Sequence, residues 1–353
     1  MLRVIQWATG NVGRAAVAAV HRHPDLTLVG AFVYDQAKAG RDLGDICGLK
    51  PIDVTATTDI GTILALDADC VLYMAQGEMN PTGALDDICA LLASGKNVVS
   101  TALTALIYPK SAGDDVVNRL EAACDIGRSS FHGTGIEPGW ASEVLPLTIS
   151  GIVSRIDSIV VQELMDYLTY AVPEVMYDIM GFGQPPDAPV PLAAPELAAS
   201  AFRAPLQLVA DGLDADIDRF DYHREVAVAA APITAKFGTI ETGTVSAQRF
   251  SCTAVIGGRP ALTIEHITRI GPDQAPDWPT GRGWRVTVEG EPSMILDATI
   301  AIHGEDDTQQ GCLGTAMHAV HAIGPVCAAP PGIQTFLDLP IIRGRGAFEP
   351  RPA

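Results

Sequence analysis

The chain is short of positive charge. Its 353 residues contain 23 lysines and arginines against 42 aspartates and glutamates, which gives a formal net charge of −19. A field of that sign repels the phosphates of nucleic acids and of anionic lipid headgroups. We therefore expect neither a nucleic-acid nor a membrane partner, and any bound phosphate must be held by a locally built site.

Long apolar runs, cysteine pairs and metal-ligand clusters are lacking as well. No window approaches the ~18 apolar residues of a membrane-spanning helix. The seven cysteines are scattered and none stands in a CxxC pair, which favours reduced thiols in a cytoplasmic protein over disulfides or structural zinc. His318 and His321 lie three residues apart without an evident third ligand, so we expect no metal site.

The composition is otherwise that of a globular protein. Hydrophobic residues make up 48% of the chain and charged residues 18%, which at this length is enough for two domains with substantial cores. Neither GxSxG nor GxxxxGK[ST] occurs, so the serine-hydrolase and phosphate-loop NTPase classes have no support.

The most informative motif is the stretch LRVIQWATGNVGRAAVAAV at residues 2–20. A strand-like apolar alternation is followed by a tight glycine turn and a helical segment, an order that presents backbone N–H groups and a positive helix end to a diphosphate. Ala8 stands where the dinucleotide fingerprint has its first glycine, and an ordinary βα turn is the alternative. The cofactor-binding residues predicted here are Ala8, Thr9, Gly10, Asn11, Val12 and Gly13.

The tip of the second predicted strand, residues 26–34, bears on the choice of cofactor. A carboxylate at this tip accepts from a ribose 2′-hydroxyl, whereas cations suit a 2′-phosphate. Tyr34 ends the strand, Asp35 comes one position late, and Lys38 and Arg41 follow. We predict that Tyr34, Lys38 and Arg41 contact the cofactor and that the cofactor is NADP. NAD remains an alternative, because a plain surface loop could carry the same cations.

Strands alternate with helices up to about residue 150, which predicts a doubly wound parallel sheet of the Rossmann type. Three further predicted strands are residues 69–74, 97–101 and 129–134. Ligands bind beyond the carboxyl ends of such strands, so the following loops should surround one crevice. These loops are residues 75–81, 102–109 and 134–143. Ala75 and Ala102, which begin two of them, are predicted cofactor contacts.

Residues 151–310 have a different pattern. Six predicted strands follow one another, several separated only by turns, and a helix near 196–213 accompanies them. This predicts an α+β domain with a mostly antiparallel sheet. Between its elements, residues 170–195 are rich in proline and glycine and form either a lid or a loop that spans domains.

Five stretches of the chain carry a family resemblance. They are WATGNVGR (7–14), KAGRDLGDICG (38–48), the Tyr-Pro pair at 108–109, GTGIEPGW (133–140) and AVHAIGPVCAAPPGI (319–333). The chain resembles the dihydrodipicolinate-reductase-like oxidoreductases, near the 2,4-diaminopentanoate dehydrogenases and native amine dehydrogenases. The resemblance implies an NAD(P)-binding Rossmann domain over 1–150, with 311–353 packing back onto it, and a substrate and dimerisation domain over 151–310.

The resemblance also implies the chemistry. It implies a homodimer that transfers hydride between a nicotinamide and the C=N or C=O carbon of a small to medium, largely apolar ketone, imine or amine. Members that use ammonia carry a glutamate before the Tyr-Pro pair, whereas residues 103–106 (LTAL) contain no carboxylate. Carbonyl or imine reduction without ammonia, or binding of a nicotinamide dinucleotide without turnover, therefore remain alternatives.

Two predicted catalytic residues lie on and beside the third crevice loop. Glu137, which stands where relatives often have asparagine, could donate a proton if desolvation raises its pKa, or it could cap a helix. His132 could relay a proton or be a packed core histidine. The residues predicted to line the substrate pocket beside them are Thr104, Tyr108 and Trp140, with ordinary packing as the alternative.

The second domain offers the stretch ELMDYLTY at residues 163–170. Tyr167, the third predicted catalytic residue, or Tyr170 could donate to a substrate oxygen, and Glu163 or Asp166 could bind an ammonium group. We place Glu163 and Tyr170 in the predicted substrate pocket. The alternative is a strand edge with solvated acids.

Overall fold

The computed structural model describes residues 1–348, without the side chains of residues 195–200, and its backbone forms two units. The first unit comprises Met1–Trp140 together with the chain from Cys312 onward, and the second comprises Ala141–Gly311. Residues 349–353 of the predicted C-terminal segment lie outside the described residues. Within the described part, no helix is both long enough and apolar enough to span a bilayer.

A seven-stranded sheet forms the first unit. Its strands are β1 (Leu2–Trp7), β2 (Leu26–Phe32), β3 (Ala56–Thr57), β4 (Cys70–Tyr73), β5 (Asn97–Ser100), β6 (Ser130–Gly133) and β15 (Gly332–Ile333). Their order is β15-β6-β5-β4-β1-β2-β3, and every neighbouring pair is parallel. The order of the strands reverses beside β1, so the switch point, where such sheets bind ligands, lies between β1 and β4.

Helices cover both faces of this sheet. They are α1 (Asn11–Arg22), α2 (Leu43–Cys47), α3 (Ile60–Ala65), α4 (Pro81–Ala93), α5 (Asp114–Gly127) and α8 (Asp307–Ala328). Alternate strand residues point to opposite faces. Val71 therefore packs in one core with Leu91 of α4 and Leu120 of α5. Leu72 packs in another core with helices α1 and α8, beside Ile323. Strands buried on both faces read as continuous apolar runs, as β4 does.

The glycine turn between β1 and α1 is tight on one side and open on the other. Ala8 has a left-handed φ of +71°, so it adopts a glycine-like conformation at the first position of the fingerprint. A Cβ on Gly13 would stand 2.3 Å from the Ala8 carbonyl oxygen. By contrast, no atom lies within 4 Å of the Cβ position of Gly10.

The second unit contains a six-stranded sheet. Its strands are β7 (Arg155–Asp166), β8 (Arg219–Val228), β11 (Val245–Ile256), β12 (Arg259–Arg269), β13 (Gly283–Glu291) and β14 (Met294–Thr299). Their order is β14-β13-β7-β12-β11-β8; β7 and β12 are parallel and the other pairs are antiparallel. The helices are α6 (Val144–Ser150) and α7 (Pro195–Gly212). The predicted fold class is confirmed, with one parallel pair inside the mostly antiparallel sheet.

The proline- and glycine-rich segment 170–195 is anchored within the second unit. Met176 and Phe182 are fully buried in a small core with Phe237 and Ile240. These two residues adjoin the hairpin of β9 (Ile233–Ala235) and β10 (Gly238–Ile240). The segment is therefore packed by its own apolar side chains, as compact loops are.

Several short or extended elements differ from the sequence-based expectation. Helices α2 and α3 were not predicted, although Asp42 and Asp59 cap them by accepting from the Gly44 amide at 2.7 Å and the Gly61 amide at 2.9 Å. Such caps satisfy N–H groups that a helix start leaves unpaired. Helix α8 ends only at Ala328, and Val326 in its last turn is still buried in the sheet core.

The conformation of Ala8 generates a stability prediction. A left-handed backbone costs an L-residue about 1–2 kcal/mol, and glycine adds about 0.4–1 kcal/mol of unfolded-state entropy. We expect Ala8→Gly to raise the free energy of unfolding by about 0.5–1 kcal/mol. In the matched control Ala18→Gly, inside α1, the same change should lower it by a similar amount. Equal effects of the two substitutions in denaturant titrations would contradict this explanation.

Candidate active site

The open side of the glycine turn is a candidate cradle for a diphosphate. Gly10 is the N-cap residue of α1, and no side chain caps this helix start. The first-turn N–H groups, beginning at Asn11 and Val12, are therefore available to an anion. Lys38 reaches the turn from the loop after β2, with its Nζ donating to Thr9 Oγ1 at 3.3 Å. Arg41 is exposed on the same loop.

Tyr34 lies beside this turn, and hydrogen bonds hold its hydroxyl in place. Its hydroxyl accepts from Trp7 Nε1 at 2.9 Å and lies 3.4 Å from the hydroxyl of Tyr73, which itself donates to Asp87 Oδ2 at 3.1 Å. Burial is the main cause that raises the pKa of Tyr73 and of Asp87. The Tyr34 side chain is nevertheless accessible, with 57% of the residue exposed. Sequence reasoning found Tyr34 but missed its three partners, which lie on three different elements.

Backbone hydrogen bonds continue the strand pairing past the strand ends and so place the crevice loops side by side. The bonds join Met74 N to Trp7 O (3.1 Å), Thr101 N to Tyr73 O (3.1 Å) and Thr134 N to Ser100 O (2.9 Å). Ala75 and Ala102 follow directly on two of these loops, and Ala102 is buried. The loops after β4, β5 and β6 therefore begin at one edge of the sheet.

A recess of about 100 Å³ opens between the second and third of these loops. Its lining residues are Thr101, Leu103, Thr104, Ile107, Thr134, Gly135, Ile136, Glu137, Pro138 and Thr315. Two of the predicted site residues, Thr104 and Glu137, thus meet in one recess. Leu103, Ile107, Ile136 and Pro138 give the recess apolar surface, and the rest of its lining is one glycine, four threonines and one acid. That acid, Glu137, is half-buried as a residue, and both of its carboxylate oxygens are buried.

The other residues predicted for this region lie around the recess rather than in its lining. Tyr108 is buried and follows a short 3₁₀ turn at Thr104–Ile107. The backbone amide of Trp140 donates to the Ile136 carbonyl at 3.2 Å and closes the third loop. Neither residue is among those that line the recess.

His132 is inside the first unit. It is fully buried, its Nδ1 lies 2.9 Å from the Gln334 carbonyl oxygen, and its ring meets Phe336 edge-on at 4.9 Å. Burial lowers its pKa to about 4. The packed-core alternative predicts this placement, and His132 is not among the residues that line the recess.

His318 of α8 contacts two residues that line the recess. Its Nδ1 lies 2.9 Å from Thr134 Oγ1 and 3.0 Å from the Gly135 carbonyl oxygen. Because a carbonyl oxygen only accepts, Nδ1 carries the proton. Burial, with a smaller contribution from His132, lowers the pKa of His318 to about 4. From the sequence, His318 was considered only as a metal ligand, because its contact with Thr134 joins residues 184 positions apart.

The predicted pair in the second unit also comes together. Tyr167 Oη lies 3.3 Å from Glu163 Oε1, and the rings of Tyr167 and Tyr170 are 5.5 Å apart. Glu163 is only 8% exposed, so it is not the solvated acid of the alternative interpretation. A buried carboxylate beside a phenol is chemically suited to a cation or a hydrogen-bond donor.

Among the described residues, no group of three or more His, Cys, Asp or Glu side chains could hold a metal ion. The seven cysteines, all within the described range, are free thiols.

An open glycine turn at the switch point of a parallel sheet, with a recess beyond the same edge, is typical of NAD(P)-dependent oxidoreductases. Comparison with known proteins confirms this class. The family model of the dihydrodipicolinate reductase N-terminus matches residues 4–104, and that of the 2,4-diaminopentanoate dehydrogenase C-terminal domain matches residues 143–347.

Full-length relatives define the family more closely. An amine dehydrogenase from Streptomyces virginiae is 35% identical over 348 residues, 97% of either chain. A 2,4-diaminopentanoate dehydrogenase from Acetoanaerobium sticklandii is 23% identical over 90% of this chain and 84% of its own. An amine dehydrogenase structure from Mycobacterium smegmatis shares the fold, with a TM-score of 0.78 over 98% of either chain at 20% identity. The chain belongs to the amine dehydrogenase and 2,4-diaminopentanoate dehydrogenase family, as the sequence resemblance predicted.

The buried histidines generate a pH prediction. The unfolded chain takes up protons with a histidine pKa near 6.5, whereas folded His318 takes one up only near pH 4. The contribution of His318 to the free energy of unfolding is therefore fully present above pH 6.5. It is lost as the pH drops towards 4, and the loss amounts to about 3 kcal/mol. His318→Asn keeps a donor at the Nδ1 position and should lose less stability across this window.

The control is His21→Asn, which changes an exposed histidine on α1. Unfolding free energies measured between pH 7.5 and 4 should show the wild-type slope for this variant and a shallower slope for His318→Asn. Identical slopes for all three proteins would show that His318 does not contribute to the acid sensitivity.

Proposed function

We propose that the chain is an NADP(H)-dependent amine dehydrogenase. In this reaction a small to medium, largely apolar amine is oxidised to a ketone and ammonia, or a ketone is reductively aminated. The observation that carries the proposal is the 35% identity to an amine dehydrogenase over 97% of the chain. The small recess, lined by apolar side chains, threonines and one acid, supports it, because a substrate with an apolar part and one polar group fits such a lining.

The loop after β2 supports NADP over NAD. Asp35, which could bind a ribose hydroxyl, accepts from the Ala37 amide at 2.8 Å through its Oδ1. Lys38 stands at the glycine turn instead, and Arg41 is exposed nearby. The two cations on this loop favour a 2′-phosphate.

Each set of site residues has one role in the proposed reaction. A bound nicotinamide supplies or accepts the hydride. The Ala8–Gly13 turn would hold the diphosphate, and Tyr34 would contact the adenosine. Glu137 carries a proton to or from the substrate in the recess, while the apolar walls exclude water. Within the second unit, Glu163, Tyr167 and Tyr170 are the proposed substrate-binding groups.

Two further features belong to the proposal. The family resemblance supports a homodimer. The free state of the seven cysteines supports a cytoplasmic location, where thiols stay reduced.

A second candidate function is reduction of a carbonyl or imine without ammonia. It is favoured by the absence of any acid in the run Leu103–Leu106.

The discriminating experiment measures NADPH oxidation with a panel of C4–C8 ketones with and without ammonium chloride. A rate that requires ammonium, with amine as the product, supports the proposal. Alcohol formed at the same rate without ammonium would replace it with the second candidate.

The cofactor assignment predicts the effect of removing one cation. Lys38→Ala should weaken NADPH binding about 10-fold to 100-fold, since a hydrogen bond to a charged group contributes about 1.5–3 kcal/mol. NADH lacks the 2′-phosphate, so its affinity should change little. The control Lys50→Ala removes an exposed cation from the same unit. Fluorescence titrations in which Lys38→Ala weakens both cofactors equally would contradict the assignment.

A further inference from the structure

The loop after β4 places a carboxylate, that of Glu78, against residues 103–106, which contain no acid of their own. Glu78 Oε1 accepts two hydrogen bonds from Thr104, one from the backbone amide at 2.8 Å and one from Oγ1 at 2.9 Å. Thr104 lines the recess, and Glu78 is 26 residues away in sequence. We propose that Glu78 binds the ammonium group of the substrate and takes its proton. This inference rests on the proposed function.

The position of Glu78 is set by the backbone on both sides of it. Gly77 is buried against the neighbouring loop, where a Cβ would stand 2.8 Å from the Ala102 carbonyl oxygen. The Asn80 amide donates to the Gly77 carbonyl at 2.9 Å, and the Asn80 side chain caps α4 by accepting from Gly83 N at 3.1 Å. The carboxylate therefore projects from a short turn fixed at both ends, with little freedom left to lose on binding.

The two hydrogen bonds from Thr104 use one carboxylate oxygen. Both are accepted by Oε1, so Oε2 remains available to a ligand. Glu78 is exposed and Glu137 lines the recess from the opposite loop. Thr104 lies on the loop after β5, and each neighbouring loop carries an acid: Glu78 on the loop after β4 and Glu137 on the loop after β6. Carboxylates are the protein groups that bind ammonium most strongly.

The chemistry needs a proton acceptor at this place. Ammonium has no free electron pair at neutral pH, and only ammonia attacks a carbonyl carbon. In the proposed step an N–H bond of ammonium breaks and its proton passes to Glu78 Oε2. The freed electron pair forms the C–N bond while the carbonyl oxygen takes up protons. That oxygen leaves as water, and Glu78 returns its proton in the process. One ketone and one ammonium ion thus give one iminium ion and one water.

The test distinguishes a role of Glu78 in binding and deprotonating ammonium from a purely structural role in joining two loops. Glu78→Gln keeps an amide oxygen for both Thr104 bonds but removes the charge and the proton acceptor. Its kcat/KM for ammonium with a C6 ketone should fall at least 100-fold, within the range for general acid–base catalysis of about 10²–10⁴. Reduction of a preformed cyclic imine, 2-methyl-1-pyrroline, should fall less than tenfold, because this substrate needs no ammonia.

The control for lost charge is Asp67→Asn. The Asp67 side chain is 94% exposed in the same unit, and this variant should retain wild-type kinetics in both assays. Thr104→Val leaves the carboxylate but removes one of its two anchors, so it should lie between Glu78→Gln and the wild type in the ammonium assay. Thermal unfolding midpoints near the wild-type value would establish that the variants fold.

Three outcomes would overturn the inference. The first is a Glu78→Gln variant that aminates ketones at the wild-type rate. The second is an equal loss with ammonium and with the cyclic imine, which would assign Glu78 to the loop structure. The third is an equal loss in Asp67→Asn, which would assign the effect to net charge. A wild-type protein that never uses ammonium would refute the proposed function itself and is recognised before any variant is made.

Discussion

The structure of the first unit depends on the close approach of α1 to the end of β1. Gly13 lets the helix lie where any side chain would meet the Ala8 carbonyl oxygen, and Ala8 accepts a left-handed backbone to make the turn. The helix start is thereby directed at the switch point of the sheet, with nothing above Gly10. A chain of net charge −19 can attract a dinucleotide only through such a local arrangement of N–H dipoles and nearby cations.

The same sheet edge brings together chemistry from distant parts of the chain. Parallel strands end side by side, so the loops after β4, β5 and β6 meet although long helices separate them in sequence. The uncharged His318 ties α8 to the third loop, while Glu78 ties the first loop to the second. The site is thus acidic on two loops and neutral at its histidines.

The sequence predicted those features that local patterns encode. Apolar periodicity located the long strands and helices, and the AxGxxG spacing located the turn, because both depend on neighbours within a few residues. The Glu78–Thr104 contact and the hydroxyl network of Tyr34 depend on strand order and register, which no local pattern specifies. For the same reason the parallel pairing of β7 with β12 was not predicted within a sheet expected to be mostly antiparallel. Short elements such as α2 and α3 carry too few periodic positions to stand out.

The central claim is that backbone groups above Gly10 hold the cofactor diphosphate, and Gly10→Thr tests it most directly. Threonine caps helices about as well as glycine, and the Cβ position is open, so folding should be unaffected. The added atoms would occupy the space assigned to the diphosphate. Calorimetric titration with NADPH should show an affinity at least about 100-fold below the wild type, equal to about 2.7 kcal/mol. Wild-type affinity in a folded Gly10→Thr protein would contradict the account.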